Sequence, residues 1–179
     1  PPAGCDAEKP EWTTRLLVNE KGAPKLALGN MILIFEHDTE WAGVLALNAR
    51  TQCVVFRRRP PASIRAESGD VLTDEHVSRA TIWLQDVYGF AIRNTGVVYS
   101  AMIAAAHLAA FDPVQEWLEA LAWDKTPRVE NWLADVTGCE RNIYTANVGR
   151  VVLISAVARV YRPGCKVEPS SSCTARKAR

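Results

Sequence analysis

The side chains in this 179-residue chain that could bind a metal or move a proton are five cysteines, three histidines and a few carboxylate pairs. Cys5, Cys53, Cys139, Cys165 and Cys173 are widely spaced, with no C-x-x-C pair. A zinc site needs ligands paired at short spacing, so these read as free thiols and no metal ligand is assigned. Of the histidines, His37 and His76 stand at element edges and have no Cys, His or carboxylate partner at ligand spacing. His107 falls inside an alanine-rich helical stretch and is expected to be a buried or half-buried structural histidine. Glu116 with Glu119, and Asp124 with Glu130, are acid pairs whose spacing fits a solvated helix face better than a general acid and base. The sequence contains no G-x-S-x-G, H-E-x-x-H or G-x-G-x-x-G, so no catalytic residue is assigned. Arg57-Arg58-Arg59-Pro60-Pro61 could contact phosphates. The preferred reading is a strand end blunted by charge and proline.

The totals set bounds on what surrounds these residues. A hydrophobic fraction of 48% is ordinary for a globular protein and is enough for a core. A formal net charge of +1 gives no bulk electrostatic case for nucleic acid. In sequence no uninterrupted apolar run reaches the ~18–20 residues that span a bilayer. The longest candidate, near Val97 to Phe111, is broken by Ser100 and His107. With no signal peptide visible, a cytoplasmic protein without a membrane partner is expected. Residues 1–11 are polar and proline-bearing and read as a disordered linker. Residues 12–166 read as one domain, and 167–179 as a disordered basic tail.

The elements follow from periodicity and punctuation. Trp12 to Asn19 reads as a short strand, followed by a turn at Glu20–Pro24. A short helix is favoured within Lys25 to His37. Gly43–Asn48 and Gln52–Arg57 read as a β-hairpin. Thr73 caps a helix whose face is Val77, Ala80, Thr81, Leu84, Val87 and Tyr88, ended by Gly89. Phe90 to Arg93 reads as a short strand, and Asn94 or Thr95 caps a helix through Ala110. The fold class is α+β: mostly helical, with one hairpin near the N-terminal third.

The densest run of start and stop signals lies from Trp117 to Lys166. Asp112-Pro113 is an N-cap followed by proline at the first helical position, and Trp123-Asp124 ends that helix. Thr126-Pro127 starts another by the same device, with Val129, Trp132, Leu133 and Val136 as its stripe and Gly138 as its stop. A third helix, Ile143 to Tyr161, runs into Pro163-Gly164. The residues WDKTPRVENWL and then ISAVARVYRPGCK resemble the virulence-associated protein E family, predicted P-loop ATPases of phages, plasmids and genomic islands linked to replication of the element. The family pattern has glycine where this chain has Lys125 and leucine where it has Val129. The resemblance extends weakly back to about Trp12.

The resemblance implies an ATP- and Mg2+-dependent, helicase-like motor acting on DNA, with a homo-oligomer as its assembly. In the family a strand and Walker A loop follow P-G-C-K. Here the chain continues from Val167 to Arg179 without one, so no cofactor is assigned to this chain itself. With codons chosen among those permitted, back-translated Pro169–Arg179 read from its third base gives I-V-V-L-H-G-P-Q-G-A, a strand and the opening of a phosphate loop. One lost base near Glu168 would account for it, so a frameshifted tail is expected. Trp123, Asp124, Arg128 and Trp132 carry the family motif in a structural role, the tryptophans filling a core and Asp124 pairing with Arg128. Arg150, Arg159 and Lys166, on or after the helix that leads to the loop, are candidate nucleic-acid or phosphate contacts, with a solvated face as the alternative. The expected function is the N-terminal fragment of a mobile-element replication ATPase, inactive alone. The alternatives are a non-enzymatic DNA-docking or oligomerisation module, or a decayed remnant.

Overall fold

The computed structural model describes residues 10–166. The linker expected over most of 1–11 and the tail expected over 167–179 lie outside the described residues. The class is α+β: six α-helices and one two-stranded antiparallel sheet among the described residues. The stretch 12–166, read from sequence as one domain, falls into two compact units that meet between Pro113 and Val114.

In the first unit the hairpin is where the apolar runs put it. β1 (Leu45–Asn48) pairs with β2 (Cys53–Phe56), with Leu45 opposite Phe56 and Asn48 opposite Cys53. Asn48 makes the turn. Its side-chain oxygen accepts from the N–H of Arg50 at 2.9 Å and of Thr51 at 3.2 Å, which favours a turn over continued ladder. Both strands gain a further single bridge. Val71 lies antiparallel to Val55, and Phe111 parallel to Asn48. The arginine run beyond β2 is tied to the protein. Arg57 lies 4.1 Å over the Phe111 ring, Arg58 donates to the Ala42 carbonyl at 2.5 Å, and Arg59 pairs with Glu67 at 3.3 Å.

Three helices complete this unit: α1 (Leu28–His37), α2 (Asp74–Tyr88) and α3 (Thr95–Leu108). Its core holds Met31, Ile34, Phe35, Trp41, Phe56, Leu84 and Met102. Ala101, Ala105 and Ala106 are buried on α3, where their small side chains let neighbouring elements approach. At the start of α2 the Thr73 N–H donates to His76 Nδ1 at 3.2 Å, so His76 acts as a capping side chain. Gly89 ends α2 at φ 67, a left-handed conformation suited to glycine.

Several expectations are corrected here. Trp12–Asn19 is not a strand. Glu11–Arg15 forms a 3-10 helix, and only Val18 bridges, to Pro24. The Thr13 and Thr14 hydroxyls donate to the carbonyls of Pro10 and Glu11 at 2.7 Å, a local alternative to a ladder. Phe90–Arg93 has the buried–exposed alternation of a strand but no strand beside it; Gln85 Nε2 takes the Ile92 carbonyl at 3.0 Å instead. His107 is exposed, not buried. α3 ends at Leu108 rather than Ala110.

One buried polar group holds the N-terminal approach to α1. Asn30 is 1% exposed. Its amide donates to the carbonyls of Leu17 at 2.8 Å and Lys25 at 2.9 Å, and its oxygen accepts from the Leu17 N–H at 2.9 Å. Asn30→Ala should therefore destabilise the chain by about 2–3 kcal/mol, because backbone groups lose their partners while remaining partly buried. Urea denaturation should show a lowered midpoint with an unchanged slope.

Candidate functional site

The second unit contains the segment singled out by the sequence. α4 (Pro113–Glu119) begins at the expected proline. α6 (Ile143–Tyr161) has the expected bounds, and its N-cap Asn142 accepts from the Thr145 N–H at 2.8 Å. α5 is shorter than expected, running only Trp132–Thr137 before Gly138 at φ 71. Thr126-Pro127 does not start it. The Thr126 N–H is held by Asp124 Oδ1 at 3.0 Å, and Lys125 sits at φ 66. That turn delays the helix by several residues.

Asp124 and Arg128 form a two-pronged pair, with Nη1 to Oδ1 at 2.9 Å and Nη2 to Oδ2 at 2.6 Å. The Arg128 guanidinium, and after it the Thr126 N–H, hold the Asp124 carboxyl down at about 2. With its folded value lowered, the pair's contribution is present above the ordinary carboxylate range and is lost only as the pH falls through about 2. Because the pair is exposed, it acts as a local brace on the turn. The Arg128 guanidinium is raised by the same partner.

Two further ion pairs join the acidic stretch to the start of α6. Arg141 meets Asp135 at 2.5 Å, and Arg150 meets Glu130 at 2.6 Å. A cleft of about 260 Å³ lies among Glu130, Asn131, Ala134, Arg141, Asn142 and Thr145. The tightest approach is at Gly149, which is buried. A Cβ placed there would lie 2.9 Å from Trp132 Nε1 and 3.2 Å from Leu133 Cβ. The Trp132 Nε1 is itself buried without a hydrogen-bond partner among the described residues. Ser155, also buried on α6, turns its hydroxyl back to the Val151 and Val152 carbonyls.

The residues named from sequence are not gathered at one point. Asp124 meets Arg128, as expected. Trp132 packs between α5 and α6, but Trp123 is 74% exposed and fills no core. Val129 and Val136 of the expected stripe are exposed as well, because the helix is too short to turn them inward together. Arg150 is ion-paired. Arg159 stands nine residues further along the helix, which at about 100° per residue is the opposite face. Lys166 follows the helix and is exposed. The carboxylates share no site. Glu130 is bound to Arg150 and Asp124 to Arg128, and no group of three metal-ligand side chains occurs among the described residues.

Gly149 and Asp135 were not singled out from sequence, and Glu130 was read there only as an acid on a solvated face. The readable signal for Gly149 was an isolated glycine inside a strong helical pattern, which often marks close packing. The sequence expectation about membrane-length helices is also corrected. α6 is long and apolar enough to cross a membrane by length and composition, and it is largely exposed. Asn147 and Arg150 interrupt its apolar run in the sequence.

Two substitutions check this geometry. Gly149→Ala gains helix propensity but must displace Leu133 Cβ and a rigid indole, so a net loss of about 1–2 kcal/mol is expected. A rise in the tryptophan-detected urea midpoint would contradict the packing. Lys125→Gly should stabilise by about 0.5–1 kcal/mol, since removing a left-handed side chain outweighs the added freedom of the unfolded chain. A lowered thermal midpoint would show that the Lys125 conformation carries no strain.

No curated protein matches the chain. The family comparison falls on the unit just described, from within α4 to beyond α6. Residues 118–171 match the virulence-associated protein E-like domain, so it is this segment of the chain that is similar to the virulence-associated protein E family.

Proposed function

We propose that the chain is the portion of a mobile-element replication ATPase that precedes the nucleotide-binding module, and that it does not hydrolyse ATP alone. The observation that carries this reading is the family match over 118–171. It agrees with the placement of the W-D-x-x-x-R turn, α5 and α6 in one unit. The sequence contains no G-x-x-x-x-G-K-[ST]. Phosphoryl transfer depends on positioning and on charge stabilisation by such a loop, its lysine and bound Mg2+. The side chains brought together in the second unit brace a fold: Asp124 holds a turn, Glu130 and Asp135 hold arginines, and Trp132 packs on Gly149.

On this reading the purified chain releases no phosphate from ATP above background. Turnover that disappears when Mg2+ is removed would overturn the proposed inactivity. The gene tests the ATPase assignment separately. DNA sequence downstream of the Lys166 codon should encode G-x-x-x-x-G-K-[ST] in one of its frames. Absence of that motif from all three frames would remove the assignment.

A further inference from the structure

The second unit separates its charges along the chain. From Glu116 to Glu140 there are six carboxylates and two basic residues; from Arg141 to Lys166 there are five basic residues and no carboxylate. Two of these acids pair with basic residues just before α6 and in its first half. Asp135 holds Arg141 and Glu130 holds Arg150. Arg159, Arg162 and Lys166 are exposed, and their side chains have no ion pair among the described residues. The positive charge that remains is therefore concentrated at one end of one helix.

Local geometry keeps these three cations together. Arg159 and Arg162 are three residues apart at the last turn, so they share a face. The Arg162 N–H donates to the Ala158 carbonyl at 2.8 Å, ending the helix, and the Cys165 N–H returns to the Arg162 carbonyl at 3.1 Å. Gly164 at φ 81 permits that reversal. Lys166 emerges beside the helix end instead of continuing away from it. Cations are favoured at a helix C-terminus, where the carbonyl dipoles point outward. Guanidiniums remain charged at any working pH.

An anionic lipid surface and a nucleic acid both present phosphates, but the arrangement favours nucleic acid. The exposed apolar residues Ile154, Val157 and Tyr161 lie along one side of α6. By helix periodicity Arg159 points roughly to the other side. Laying the apolar stripe on a bilayer would turn Arg159 away from the headgroups, whereas an interfacial helix places its basic residues beside its buried face. A phosphate backbone needs only the cations and a clear approach.

We infer that Arg159, Arg162 and Lys166 form a sequence-independent contact for the phosphate backbone of DNA. This contact does not depend on the ATPase reading. It commits to these three residues, excluding Arg150, whose charge Glu130 satisfies.

The test is anisotropy of a fluorescein-labelled single strand of about 20 nucleotides, titrated with the full chain between about 50 and 200 mM salt. Three phosphate contacts to a single strand should contribute about −2 to the slope of log affinity against log salt. The triple variant Arg159→Ala, Arg162→Ala, Lys166→Ala should lose that contribution. Its affinity change across this salt range should then be smaller by a factor on the order of 15. The double variant Arg159→Lys, Arg162→Lys should keep the slope, and circular dichroism should show the same helix content in all three proteins. Basic residues of the tail are present in each and cancel in the comparison. An unchanged slope in the triple-alanine variant overturns the assignment, as does absence of binding at the lowest salt. Binding to phosphatidylserine vesicles that needs these three residues, without DNA binding, assigns the cations to a lipid surface and overturns it too.

Discussion

The second unit depends on one close approach. Among its described residues, Gly149, Ser155 and Ala134 are the buried ones. The burial of Gly149 exists because it has no side chain. The Trp132 indole and the Leu133 Cβ occupy the place where a methyl group would stand. The Glu130–Arg150 and Asp135–Arg141 pairs are largely exposed, and such pairs contribute little to stability individually. They fix direction instead, holding the short helix on the first half of the long one. The cost is visible at Trp132, whose N–H is enclosed without a partner. An unpaired buried donor costs roughly 1–3 kcal/mol, so the packing at Gly149 must offset it through the buried faces of the indole and leucine.

The first unit is built on a different principle. Its core is continuous across α1, α2, α3 and the hairpin. Aromatic rings stack through it edge to face: Phe35 on Trp41 at 4.7 Å and Trp41 on Trp83 at 5.7 Å. Polar side chains at its edge are answered locally. Tyr88 donates to Asp38 at 2.6 Å, and burial followed by that carboxylate pushes the phenol up. This unit too leaves large apolar side chains exposed, among them Ile82, Val87 and Leu108, but around a continuous core. The second unit leaves most of its large apolar side chains outside, among them Trp117, Ile143 and Tyr144.

What the sequence revealed follows how local each signal was. Strong punctuation was readable to the residue. Pro113 opened α4, Pro163-Gly164 closed α6, and Gly89 and Gly138 stopped α2 and α5, because caps and left-handed stops act within a turn. The Asp124–Arg128 pair was legible for the same reason. Strand readings failed where alternation existed without a neighbour. Phe90 and Ile92 alternate inward beside no ladder, and no single segment carries that information. The length of α5 was missed because Thr126-Pro127 has the chemistry of a helix start, yet Asp124 had already claimed the Thr126 N–H. Lys125 in the left-handed region is the consequence, at the position where the family pattern carries glycine. The burial expected for Trp123 failed because apolar character says a side chain prefers cover, not that cover is there.

α6 therefore carries two outward surfaces of different kinds. One is the stripe of Ile154, Val157 and Tyr161, which soluble proteins seldom leave uncovered when it is continuous with other apolar side chains. The other is the basic end at Arg159, Arg162 and Lys166. Helix periodicity keeps them apart, so occupying one does not hide the other. On the proposed reading the apolar stripe is the surface that the following ATPase sheet would cover, while the cations stay free for a phosphate backbone. A helix arranged in this way could report the state of one surface to the other only by shifting as a rigid rod. The hold on such a rod is at Gly149, where the least displacement changes the contact with Trp132 most.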